Sequence, residues 1–207
     1  MTEIKICGLT RGEDVDAAVR AGAVMLGLVF APQSPRMLGI GMAQRLAGRV
    51  PDEVQIVGVF MDQVETEVDK VIAGISLDVL QFHGRENNAF CKQFGLPFFK
   101  AVSMRECADV RAFAAGYPDA HALLLDSHGD GEAGGQGRVF DWSGINSEPG
   151  VPLILAGGLN PGNIRGAIKR VQPWAVDVSS GVEMAPGIKD HALMQEFCEN
   201  VRNAADG

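Results

Sequence analysis

Eight short apolar runs recur along the chain, at roughly residues 3–8, 24–30, 55–61, 78–83, 98–103, 121–127, 152–157 and 175–180. Runs such as Val24-Met25-Leu26-Gly27-Leu28-Val29-Phe30 and Pro152-Leu153-Ile154-Leu155-Ala156 show no apolar–polar alternation. That pattern suits parallel strands buried on both faces. Between the runs, charged and apolar positions recur at helical spacing: 13–19 closing at Gly22, 64–73 closing at Gly74, and 86–94 closing at Gly95. Glycine there supplies the left-handed conformation that ends a helix, and acidic residues such as Glu13 and Asp14 favour a first turn.

Eight strand–helix repeats without an intervening linker predict an α/β chain folded as a single-domain (β/α)8 TIM barrel over residues 1–207. The competing architecture is an open, doubly wound sheet. The length is near the lower end of the barrel range, roughly 200 residues. The connecting helices must therefore be short, with only an irregular turn around Trp142 after strand six.

Composition narrows the function classes. The formal net charge of -8 opposes a nucleic-acid footprint, while leaving room for a local positive pocket that takes a small anion. The chain begins without a charged segment leading into a long apolar stretch, and no apolar run reaches spanning length. A cytoplasmic protein without membrane partners is expected. Cys7, Cys91, Cys107 and Cys198 are scattered with no paired spacing, so reduced thiols are expected rather than a zinc knot or disulfide framework. Cys91, Cys107 and Cys198 fall in predicted helices as packing residues.

A barrel's chemistry gathers at the loops after its strands. Cys7 ends the first strand and Asp126 the sixth, putting a thiol and a carboxylate at one edge, a candidate base and acid. The bland alternatives are a small buried hydrophobe and a helix cap. After strand two, prolines stiffen the approach to Arg36, whose planar fork suits a carboxylate unless it is only a solvated surface group. His83 follows strand four at the rim, to meet ligand or merely to bond a loop. The glycine-rich stretch 129–137 follows strand six, with Phe140-Asp141-Trp142 beyond it, as a loop that folds over ligand or a simple connection. Gly157 and Gly158 after strand seven, with Ser180 and Gly181 after strand eight, are small enough for backbone amides to approach a phosphate, helped by a short helix terminus. Asp177 lies within strand eight, facing the mouth or making an outer hydrogen bond. Glu183 and Asp190 are read as orienting loop eight or capping its helix.

Together and in order, Lys5-Ile6-Cys7-Gly8-Leu9-Thr10, Ser34-Pro35-Arg36, Leu80-Gln81-Phe82-His83-Gly84, Gly134 to Trp142, Ala156-Gly157-Gly158-Leu159-Asn160-Pro161, and Asp177 to Asp190 resemble the phosphoribosylanthranilate isomerases of tryptophan biosynthesis. The chain departs at Gln136, where that family often has threonine, and at Phe82, where it often has leucine. The resemblance implies an Amadori rearrangement of N-(5-phosphoribosyl)anthranilate to 1-(2-carboxyphenylamino)-1-deoxyribulose 5-phosphate, with no metal and no organic cofactor. It implies catalytic roles for Cys7 as general base and Asp126 as general acid. Arg36, His83 and Asp177 become substrate-binding, and Gly157, Gly158, Ser180 and Gly181 phosphate-binding. The implied partner is a small phosphosugar, on a monomer or homodimer. An unperturbed aspartate is ionised and an unperturbed cysteine protonated near neutrality, so both must shift. Burial is expected to raise Asp126, and a cation such as Lys5 to favour the Cys7 thiolate. A silent phosphate-ligand binder and an indole-glycerol-phosphate synthase are the weighed alternatives. The first would normally have lost Cys7 or Asp126, and the second needs more lysines at strand ends than Lys5 and Lys100.

Overall fold

The computed structural model describes residues 1–127 and 150–204. All eight predicted strands form: β1 (Glu3–Cys7), β2 (Met25–Val29), β3 (Gln55–Phe60), β4 (Val79–Phe82), β5 (Phe98–Ser103), β6 (Ala122–Asp126), β7 (Leu153–Leu155) and β8 (Ala175–Val178). They pair in parallel, in chain order, and β1 also pairs with β8, so the sheet closes on itself. That closure rules out the open sheet. In the closing register Lys5 lies opposite Asp177, and on the other side of β1 Cys7 lies opposite Gly27.

The helices are α1 (Gly12–Ala21), α2 (Ile40–Ala47), α3 (Glu65–Gly74), α4 (Asn88–Lys92), α5 (Val110–Ala115), α6 (Ile164–Val171) and α7 (His191–Ala204). Gly22 closes α1 in the left-handed conformation, φ 91°, as expected. Gly74 does not close α3. It is the helix's last residue, and the chain leaves through an extended Ile75 that is drawn into the core. The third predicted helix shrinks to α4, because the Asn87 side chain accepts from Phe90 N and caps it there. Glu86, expected inside that helix, instead turns inward toward Lys100, 3.4 Å away. Cys107 is likewise outside any helix, in the β5–α5 connection, whereas Cys91 and Cys198 are buried in α4 and α7.

Alternation along the strands divides the core in two. Met25, Val57, Val79, Phe99, Leu124, Ile154 and Ala175 fill the barrel interior. Ile4, Ile6, Leu26, Leu28, Leu80 and Val176 face outward and bury the helices' apolar stripes. Phe82 is the hub of an aromatic cluster in this outer layer, with ring centroids 5.9 Å from Phe60, Phe90 and Phe94 and 6.2 Å from Phe98. The departure from leucine is thus absorbed by packing away from the mouth. Beyond β8 the chain makes one 3-10 turn (Ser180–Val182) and a small antiparallel hairpin of β9 (Glu183–Ala185) and β10 (Ile188–Lys189) before α7. Among the described residues no helix is long and apolar enough to cross a membrane. The 129–137 stretch, Gln136, Phe140-Asp141-Trp142 and the turn expected around Trp142 lie outside the described residues.

Candidate active site

The strand ends bring the expected chemistry to one place. Cys7, Arg36, Gln81, His83, Asp126, Asp177 and Ser179 line a single cavity at the barrel's C-terminal mouth. Cys7 and Asp126 come from β1 and β6, which are not neighbours, and share the cavity because the barrel closes. Gly27 makes room for the thiol: a Cβ there would fall 2.6 Å from the Cys7 sulfur.

Around Cys7 the surroundings are ionic and buried. The Lys5 ammonium is fully buried and donates to Asp177 Oδ1 at 2.9 Å. Burial disfavours its charge, but Asp177 and Cys7 outweigh that and hold its pKa above the ordinary lysine value. Burial pushes the Cys7 thiol up. Lys5 opposes this, Asp177 adds to it and Lys189 opposes it again, with the net direction upward. Lys5 therefore acts in the expected direction without turning the resting thiol toward thiolate.

Arg36 is buried, not a solvated surface group. Its Nε and Nη2 donate to the two carboxylate oxygens of Glu183 at 2.7 and 2.6 Å. One edge of the fork expected to meet a ligand is thus already filled from within the chain. Glu183 also accepts from Lys189 Nζ at 2.8 Å. Burial alone would raise the Glu183 carboxyl, but Arg36 and Lys189 hold it below the usual carboxylate range. Glu183 thereby orients loop eight as anticipated. Asp190 caps α7, its Oδ1 accepting from Ala192 N and Leu193 N. Lys189 carried no expected role. Its signal in the sequence was confined to its place in the Gly187 to Asp190 motif, because its contacts cross up to 182 residues of chain.

On the opposite side, Asp126 Oδ1 accepts from Ser127 N, and Asp126 Oδ2 lies 3.7 Å from His83 Nε2. Gln81 Nε2 is 3.4 Å from His83 Nδ1. When that amide donates, Nδ1 accepts and the ring proton sits on Nε2, facing Asp126. Gln81 is buried, and its Oε1 has no hydrogen-bond partner among the described residues. Lys100 points away from the lumen. It donates to the carbonyls of Phe82 and Gly84, bracing the loop that carries His83.

A second cavity adjoins the first and shares Asp126, Asp177 and Ser179 with it. Its lining includes all four residues expected at a phosphate, Gly157, Gly158, Ser180 and Gly181, together with Ser127. Gly157 and Gly158 have φ of 76° and 69°, a region that side chains disfavour. Gly181 is needed for a different reason from the one anticipated, since a Cβ there would collide with the Leu159 carbonyl oxygen. The expected helix terminus is one 3-10 turn, too short for a substantial dipole. Among the described residues no three His, Cys, Asp or Glu side chains form a metal-binding cluster.

Three comparisons bear on this geometry. A family model described as N-(5'phosphoribosyl)anthranilate (PRA) isomerase matches residues 4–200. An N-(5'-phosphoribosyl)anthranilate isomerase of Leptothrix cholodnii is 51% identical, covering 98% of this chain and 92% of that protein. A crystal structure of monomers generated from the dimeric phosphoribosylanthranilate isomerase of Thermotoga maritima superposes with a TM-score of 0.87 at 36% identity, covering 98% of this chain and all (100%) of the other. Another isomerase structure, in complex with reduced 1-(o-carboxyphenylamino)-1-deoxyribulose 5-phosphate, gives 0.85 at 36% identity, with coverage of 98% and 100%.

Proposed function

The chain belongs to the N-(5'-phosphoribosyl)anthranilate isomerase family of tryptophan biosynthesis, and from that premise we propose that the mouth residues carry out the rearrangement, with Asp126 as general acid and Cys7 as general base. The observation that carries this reading is one cavity lined by the thiol, the carboxyl and Arg36. Protonated Asp126 donates to the ribose ring oxygen, the C1'–O bond breaks, and the nitrogen lone pair forms the C1'=N Schiff base. Cys7 as thiolate then takes the C2' proton, the C2'–H electron pair becomes the C1'=C2' bond of the enolamine, and the C1'=N π pair returns to nitrogen. Loss of the C2' hydroxyl proton and protonation at C1' give the ketone. Atoms and electrons balance internally, so the step is an isomerisation.

Binding follows the two ends of the substrate. Arg36 reads the anthranilate carboxylate with the guanidinium edge that Glu183 leaves open, since the fork has two such edges. The 5'-phosphate lies among Gly157, Gly158, Ser180 and Gly181, where small residues let backbone amides come close. Asp177 and His83 face the ribose between them, and Gln81 Oε1, which has no partner among the described residues, is the acceptor for a ribose hydroxyl. The complex named for one structural neighbour, with a reduced carboxyphenylamino deoxyribulose phosphate, has the same three parts. The whole chain, residues 1–207, works as one barrel domain in the cytoplasm. All the named side chains come from one chain, so a monomer suffices chemically, and a homodimer suits the dimeric neighbour. The deciding experiment follows the fluorescence of freshly made phosphoribosylanthranilate mixed with purified protein. Decay dependent on the protein, without added metal or cofactor, supports the reading, and no decay overturns it.

A further inference from the structure

Behind Cys7 and Arg36 sits a lysine that takes part in neither proton transfer. Lys189 is 1% exposed. Its Nζ donates to Cys7 O at 2.7 Å, Ser179 O at 3.0 Å and Glu183 Oε1 at 2.8 Å, with Ser179 Oγ at 3.4 Å. An ammonium has three protons, and these acceptors use them all. Glu183 in turn holds both Nε and Nη2 of Arg36. One buried cation therefore touches the end of β1 and the loop after β8 directly, and reaches the β2 loop through a single carboxylate. Its own main chain is fixed from elsewhere: Asp14 Oδ2 accepts from Lys189 N at 3.2 Å, and Arg11 Nη2 donates to Lys189 O at 3.3 Å.

We propose that Lys189 is a positioning residue for the isomerisation, its ammonium fixing the Cys7 main chain directly and the Arg36 guanidinium through Glu183. The base and the carboxylate reader are then held at one spacing by one cation. This rests on the roles given above to Cys7 and Arg36. A merely structural role is poorly matched to the chemistry, because well-packed apolar residues replace buried ion pairs at little or no cost in stability. A geometric role is well matched, because acceptors from the end of β1 and the segment after β8 converge on one ammonium, and Glu183 carries the link on to Arg36. The same charge also opposes the burial that raises the Cys7 thiol.

Lys189→Met removes the charge, keeps an unbranched side chain one atom shorter and both main-chain anchors, and is compared with the parent in four readouts. These are the melting temperature, kcat, the ratio of affinities for product analogues with and without the ring carboxylate, and the pH midpoint of Cys7 alkylation by iodoacetamide, read by mass spectrometry of the Cys7 peptide. The variant should fold, lose kcat on the order of 10²-fold as a displaced group does, and show a smaller carboxylate ratio. Its alkylation midpoint should move to higher pH, because a cation near the thiol has been removed. A folded Lys189→Met with the parent's kcat, carboxylate ratio and alkylation midpoint overturns the proposal. Should this variant not fold, Glu183→Gln decides: it removes the charge and the second oxygen through which Glu183 joins Lys189 to Arg36, and an unchanged carboxylate ratio overturns the proposal equally. Cys7→Ala separates the two layers of inference. Full turnover in that variant sinks the base assignment, while the carboxylate ratio, which involves no thiol, still tests Lys189.

Discussion

The Arg36 side of the mouth and the side formed after β7 and β8 are built from different materials. The first is a set of buried charges: Arg36 on Glu183, Glu183 on Lys189, Lys5 on Asp177. The second brings the small residues Ser127, Gly157, Gly158, Ser180 and Gly181 together beside Asp126 and Asp177, and the binding proposed there falls to backbone rather than side chains. A planar carboxylate suits a fork whose direction is fixed by a partner, and Glu183 supplies that partner at the cost of one edge. A phosphate has oxygens in several directions and suits a ring of amides. The first side should therefore fail when charge is removed, and the second when bulk is added.

The most severe break lies where the two sides meet. Cys7→Ala and Asp126→Asn should each cost on the order of 10² to 10⁴ in kcat, with phosphate and carboxylate affinities kept. Near-parent turnover in material free of host enzyme would remove that residue from the mechanism. Next comes charge removal on the ionic side. A charge-assisted hydrogen-bond set is worth about 1.5–3 kcal/mol, so Arg36→Met should weaken carboxylate-bearing analogues about 10- to 100-fold. Titration with inorganic phosphate should give the parent's value, and a parallel loss there would erase the contrast between the sides.

The burial of the Cys7 side has a pH signature. Burial raises the thiol, so near neutrality the free enzyme carries Cys7 protonated. In the proposed mechanism the base is the thiolate, so the limb of kcat/KM assigned to Cys7 should rise with pH, about tenfold per unit, up to the thiol pKa. A plateau reached already on the acid side of neutrality would mean that Cys7 is not the base. The smallest effect expected is on the backbone side. Gly157→Ala forces a side chain into φ 76° and against Ser127, a strain of about 1–3 kcal/mol. Melting temperature and inhibition by phosphate should both weaken while carboxylate discrimination holds. Unchanged phosphate inhibition would move the anion elsewhere.

The barrel was legible because a strand buried on both faces leaves a plain apolar run, and all eight runs became strands. Helix ends were harder. Gly74 and Glu86 carry the right residue types for termini, yet the inward pull on Ile75 and the Lys100 partner of Glu86 decided their conformations. At the site, the placement of Cys7, Asp126, Gly157 and Gly158 at the mouth was legible because each sits at or just past a strand end, a position visible locally. Lys189 was not, and Glu183 was legible only as a residue of loop eight, since their partners lie 182 and 147 residues away. Arg36 was half legible: its fork could be read, but not the carboxylate already seated on it. Cys107 was misread as helical because a turn of similar composition gives the same local pattern.

The seam between β1 and β8 sets the time at which this molecule can begin to work. Lys5 meets Asp177 across 172 residues, and Cys7 receives its lysine from still further along. Closing so long a loop is entropically costly, and contacts of such separation form late. On the ribosome, Arg36 emerges 147 residues before Glu183, and Cys7 182 residues before Lys189. A nascent barrel missing β8 and the hairpin holds the thiol without Asp177, Glu183 and Lys189 around it, so the mouth is not assembled until that hairpin has been made.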